Sequence, residues 1–182
     1  NVAVGYLALS SEDAASRGVA IGSNALQTQN TGTTNADNVA VGNNAGADVT
    51  TGVANTFVGT FSGGDTTDAD YNVSLGAESL RLNELGSRAV AIGYGALFTQ
   101  KPTTATDTYN TAVGYDAGRL ITTGIKNTLI GGQAGDNMTT GFNNIAIGYD
   151  ALGNNTTSGA NVAIGYEALK VYNNTADASH FN

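Results

Sequence analysis

Asp150 and Glu167 are the residues whose types and spacing point most directly to chemistry. They stand 17 positions apart. If the chain repeats at that interval, they lie in adjacent coils with carboxylates about 5 Å apart, the separation of retaining glycoside hydrolases. A solvated acidic edge is the plainer reading, because no third catalytic partner recurs nearby. Tyr149 and Tyr166 immediately precede the two acids. They are expected to stack, and then to dock a glycan or protein or to cover the core edge or a seam between chains. Asp65, Asp68 and Asp70 crowd one short stretch. Carboxylates at that density can bind Ca2+, but the spacing matches no calcium loop, and a bare turn is the alternative. His180 is the single histidine and cysteine is absent, which leaves no disulfide and no thiolate or His-rich metal site. The expectation is a non-enzyme with no catalytic, metal or cofactor-binding residues.

A repeat must position these groups. Its clearest copy is Asn161-Val162-Ala163-Ile164-Gly165. Ten glycines mark the copies: Gly5, Gly22, Gly42, Gly59, Gly76, Gly93, Gly114, Gly131, Gly148 and Gly165. Successive spacings are 17 residues, except 20 after Gly22 and 21 after Gly93. Such a period predicts a solenoid whose coils contact mainly their neighbours.

Counting from the glycine as position zero, −1 is always aliphatic. It is Val4, Ile21, Val41, Val58, Leu75, Ile92, Val113, Ile130, Ile147 and Ile164. Position −3 is always β-branched, from Val2 to Val162. Two such residues two apart predict a short strand with one buried face, so the ten −1 residues are the expected core. Position −2 is mostly Ala, on the opposite face with the glycine. That small-residue face is expected to lie tight against another chain, the alternative being that Ala is merely tolerated there. A second, weaker strand is expected around +3 to +7, with Ala or Ser at +3 forming an inner corner. Asn at −4, as in Asn38, Asn55 and Asn72, suits either turns or a stacked amide ladder.

A higher order overlies the coils. Position +4 runs Leu, Leu, Gly, Gly and repeats. The bulky −2 residues Phe57 and Leu129 fall in coils 4 and 8. Coils 2 and 6 lack the −4 Asn and carry insertions at 27–37 and 98–109, with a third extrapolated to 170–181. The supermodules are therefore 1–71, 72–143 and a partial 144–182, within one array expected to be cut from a longer fibre.

Only 12 % of residues are charged and the net charge is −8. That argues against nucleic acid, which needs clustered Lys and Arg. No apolar run of about 18 residues exists, so no membrane insertion is expected in this segment. A regular Thr-x-Thr face for ice is also missing, since the Thr pairs are consecutive and sit in turns.

The Asn-Val-Ala-Ile-Gly motif resembles the Ser-Val-Ala-Ile-Gly core of YadA-like head repeats in trimeric autotransporter adhesins. With Ala-Leu and then Asn-Thr-Thr-Gly following, it is also similar to repeats of bacterial surface proteins and phage tail fibres. The resemblance covers all ten coils, although the period here is longer and the supermodule is a departure. It implies an all-β parallel solenoid of the left-handed β-roll type, with three chains about one axis. It also implies an extracellular adhesive or structural fibre, on a cell surface or a virion, meeting a host-surface protein or glycan. A phage tail-fibre shaft and a glycan-cleaving β-solenoid are the alternatives. The physics also favours a homo-oligomer. A thin coil rich in Gly and Asn buries little apolar area against a backbone entropy cost of about 1–2 kcal/mol per residue.

Overall fold

The computed structural model describes residues 1–14, 16–32 and 35–171. His180 and most of the third insertion lie outside the described residues. Those described form a parallel β-solenoid without helix. Each motif contributes one three-residue strand. In chain order these are β1 (Val2–Val4), β2 (Val19–Ile21), β3 (Val39–Val41), β4 (Thr56–Val58) and β5 (Val73–Leu75). After the short β6 (Gly86–Ser87) come β7 (Val90–Ile92), the short β8 (Thr106–Asp107) and β9 (Thr111–Val113). The series ends with β10 (Thr128–Ile130), β11 (Ile145–Ile147) and β12 (Val162–Ile164). The ten motif strands make one parallel sheet in sequence order. Register is strict through the insertions, since Val19 pairs with Val39 and Val90 with Thr111. The second insertion adds its own parallel pair, β6 with β8.

The motif glycine lets one coil lie on the next. At Gly59, φ is 132°, and an added Cβ would stand 2.6 Å from the Gly76 carbonyl of the following coil. No side chain fits there, and L-residues avoid that backbone conformation.

The structure reverses the expected faces of the strand. Position −2 points inward: Ala20, Ala40, Phe57, Ser74, Ala91, Ala112, Leu129 and Ala146 are fully buried. The Ala face is thus the chain's own interior, not a seam with another chain. The −1 residues point outward. Val4, Ile21, Leu75, Ile130 and Ile164 are exposed, while Val41, Val58, Ile92, Val113 and Ile147 are half-buried. None belongs to the core. The reason is thickness. The interior must also hold +3, +4 and +7, including Ala25, Leu26, Leu97 and Ile121. Between two walls so close, an Ala at −2 fits and a row of Val and Ile does not. Alternation guarantees two faces but does not say which is inward.

The second strand at +3 to +7 is also absent. The segment is a run of turns, because +2 and +4 both adopt positive φ, as at Glu78 (60°) and Leu80 (48°). That conformation breaks the pleat. The turns still bond coil to coil, as in Leu80 N to Ala96 O at 3.0 Å and Leu97 N to Ala117 O at 3.0 Å.

The Leu/Gly alternation at +4 is a packing rule. Phe57 fills the coil 4 interior, and a Cβ on Gly46 would come within 2.8 Å of its ring. A Cβ on Gly63 would also run into that ring. In coil 8, Leu129 takes the same part, with Gly118 and Gly135 against it. A large −2 side chain therefore requires Gly at +4 in its own and the preceding coil. Elsewhere Leu at +4 fills the space that small −2 residues leave.

The −4 asparagines form a buried ladder. Asn127 Oδ1 accepts the Asn144 N–H at 3.0 Å, and its Nδ2 donates to Gly141 O at 2.9 Å. Each amide thus ties successive coils and both walls of the roll. The ladder breaks at Gly18 and Ala89, where the +7 glutamines substitute. Asn38 and Asn110 donate to Gln29 Oε1 and Gln100 Oε1, each at 2.9 Å. Asn127→Ala orphans a buried N–H and a buried carbonyl, at about 1–3 kcal/mol each. A stability loss of roughly 2–4 kcal/mol is expected on urea unfolding. A loss below about 0.5 kcal/mol would mean the ladder is incidental.

Candidate functional site

The outward −3 and −1 side chains build two parallel, largely apolar rows along the whole sheet, the −1 row wholly aliphatic and the −3 row carrying Thr56, Thr111 and Thr128 among its Val and Ile. β-Branched residues stack on their in-register neighbours, Val113 on Ile130 and Ile130 on Ile147. The rows run roughly 40 Å, so the face covers several hundred Å2. Solitary soluble chains rarely expose so large a continuous apolar surface. No charged residue occupies either row, from Val2 and Val4 to Val162 and Ile164.

Tyrosines at +1, just past the motif glycine, form the rim. Tyr149 and Tyr166 stack as expected, with ring centroids 5.6 Å apart and planes 15° apart. Tyr94 and Tyr115 form a second pair at 5.6 Å and 13°. Two of these rings reach toward the preceding coil. Tyr149 Oη donates to Gln133 Oε1 at 2.6 Å and Tyr94 Oη to Glu78 Oε2 at 3.3 Å.

Asp150 and Glu167 are brought together through a third group. Lys170 Nζ lies 2.6 Å from Asp150 Oδ2 and 2.8 Å from Glu167 Oε1. Both carboxylates hold the Lys170 proton firmly, pushing that ammonium well above its ordinary pKa. The hydrogen bond from Lys170 in turn lowers Glu167. A retaining glycosidase needs one carboxyl raised so that it can donate a proton. Lys170 seated between the two carboxylates makes the cluster an ion-pair clamp between adjacent coils.

The acidic stretch does not converge either. Asp70 Oδ1 accepts the Val53 N–H at 2.7 Å, Asp68 accepts from Thr51 Oγ1, and Asp65 faces Asp48 and Glu84. Among the described residues, no group of three or more His, Cys, Asp or Glu is placed to hold a metal ion. No described helix is long and apolar enough to cross a membrane.

Asp136 lies near the same edge. Burial raises its pKa, and the charges of Asp150 and Asp116 add to the shift. Its stabilising contribution is full below the ordinary carboxylate range and is lost as pH rises through the raised value. Asp136→Asn should therefore melt above the wild type at neutral pH, with the advantage vanishing in acid. Parallel melting curves for the two proteins at every pH would contradict this.

Sequence reasoning missed the outward apolar face, although its residues were all identified. It also missed Gln29 and Gln100 as ladder substitutes. Their signal was present, as both stand at +7 of the two coils that lack Asn at −4. Comparison with protein-family models, characterised proteins and solved structures gives no match.

Proposed function

We propose that this chain is a structural and adhesive segment of an extracellular homotrimeric fibre. The observation that carries the reading is the two-row apolar face running along the whole sheet. Three parallel copies in register would place that face around one axis, with each rung opposite its own counterparts. A face only two side chains wide suits such closure, and cyclic symmetry leaves both ends free to continue the fibre. The face turned away from the axis then bears the turns and the insertions at 27–37 and 98–109. These recur every four coils, roughly 19 Å apart, so weak contacts can sum to avidity. The ligand class is a host-surface protein or glycan.

The chain has no cysteine, so a single one reports cleanly. Val113→Cys on the outer face is expected to form interchain disulfides on mild oxidation, while Thr140→Cys in the exposed far turn does not. Equal and negligible cross-linking at both positions would count against the seam.

A further inference from the structure

One cation on the rim of the outer face has no counter-charge. Six of the seven Lys and Arg side chains pair with carboxylates of their own chain: Arg17, Arg81, Arg88, Lys101, Arg119 and Lys170. Lys126 pairs with none among the described residues. It stands exposed at −5 of coil 8, two residues before the outward rows begin at Thr128. Its backbone is fixed, with the N–H donating to Thr108 O at 2.7 Å and φ at 58°. At −5 of coils 7 and 9 stand Tyr109 and Asn143, neither of them charged. The opposite edge of the face carries the reverse imbalance. From +1 to +5, coils 7 to 10 hold Asp116, Asp136, Asp150 and Glu167 against Arg119 and Lys170, so four carboxylates meet two cations and two negative charges remain over. On that edge coil 8 contributes Gly132 at +1, where the other nine coils carry a side chain.

We infer that Lys126 of one copy docks against the acidic +1 to +5 edge of the next copy at coils 7 to 9, a contact that rests on the trimeric reading and fixes the copies parallel and in register. Symmetry decides which edges meet. Rotation about the fibre axis keeps every coil at its own height and brings the −5 edge of one copy to the +1 edge of its neighbour. A two-fold axis across the fibre reverses the order of coils and sets like edge on like edge. The first arrangement places the uncompensated lysine opposite the uncompensated acids at one height. The second places it against a −5 edge whose acids, Asp37 and Asp107, already pair with Arg17 and Arg88. Coils are about 4.8 Å apart, a step that the four-carbon stem of lysine covers, so a displacement of several coils would take Lys126 away from the acids. Like charges set side by side then penalise the wrong polarity, which is how charged rims choose partners.

The test uses two single-cysteine variants, Lys126→Cys and Gly132→Cys, unfolded and refolded together and then treated with a short bismaleimide. Gly132 tolerates the change, since its φ lies outside the left-handed region and an added Cβ would meet the Tyr149 ring at an ordinary 3.5 Å. Cross-linked pairs of twice the chain mass should form in the mixture and in neither variant alone. Lys126→Glu, on an exposed residue, should keep the wild-type circular dichroism and weaken assembly roughly tenfold at low salt, with the difference shrinking at high salt. An intact trimer whose mixed variants do not link would overturn the edge contact and leave the trimer standing. Lys126→Cys linking to itself as readily as to Gly132→Cys, or Lys126→Glu assembling as tightly as wild type, would also overturn it. A wild-type chain that sediments as a monomer would sink the trimer and this contact together.

Discussion

On the proposed trimer, placing lysine at both Ile130 and Ile147 is expected to convert the assembly into a folded monomer. The two side chains are neighbours in one row of the outer face, in adjacent strands paired in register. Neither touches the chain's own interior, which is lined there by Leu129 and Ala146. The solenoid can therefore accept both lysines and keep its backbone ladder. A seam cannot. Each unpaired ammonium buried there would cost about 3–5 kcal/mol, and the proposed threefold symmetry would set three copies of each lysine side by side. Dissociation should be complete at micromolar chain, with the far-ultraviolet circular dichroism of the wild type retained. Thr140→Lys, on an exposed turn, should leave the assembly whole. If the double lysine variant stays associated, the outer face is not where copies meet.

Phe57→Ala tests the interior in the same way. Phe57 is the largest fully buried side chain among the described residues, and its ring leaves no room for a Cβ at Gly46 or Gly63. Removing the ring leaves a cavity that two glycines cannot fill, and a loss of about 3–5 kcal/mol is expected. The rescue is more informative than the loss. Gly63 has φ 57°, close to the 48–55° that Leu80, Leu97 and Leu152 adopt at the same position. The backbone at 63 is thus already suited to leucine. Adding Gly63→Leu to Phe57→Ala should recover a large part of the lost stability, while Gly63→Leu alone should be severely destabilising. Urea unfolding of the four proteins gives the coupling directly. Additive effects would show that the +4 alternation is not the packing rule inferred here.

The repeat was fully legible in the sequence, because the glycine at zero and the Asn at −4 are dictated by backbone geometry. Gly59 has no room for a Cβ, and Asn127 must answer a buried N–H and a buried carbonyl. The succession of coils, the inner +3 corner and the Tyr149–Tyr166 stacking followed from that period. The orientation of the strand did not. Val-Ala-Ile reads as well with Ala inward as with Ala outward, and hydrophobicity alone favours the wrong choice. The interior width decides, and it depends on Leu or Gly at +4 meeting −2 across the coil. Phe57 and Leu129 carried the clue, since both sit opposite paired glycines. The +3 to +7 segment was misread for a related reason. Leu80 and Leu152 at positive φ defy the usual preference of leucine, and only the stacked coils hold them there. For the candidate site, Asp150 and Glu167 were rightly placed near one another. Their meaning turned on Lys170, three residues beyond Glu167, which clamps them both.

Sedimentation equilibrium of the 182-residue chain across a dilution series tests the central claim most directly. The chain mass is 18.3 kDa. A single species at three times that mass, persisting on dilution, is the predicted result. A folded monomer at every concentration would contradict it, and would mean that the two apolar rows face solvent or a different partner.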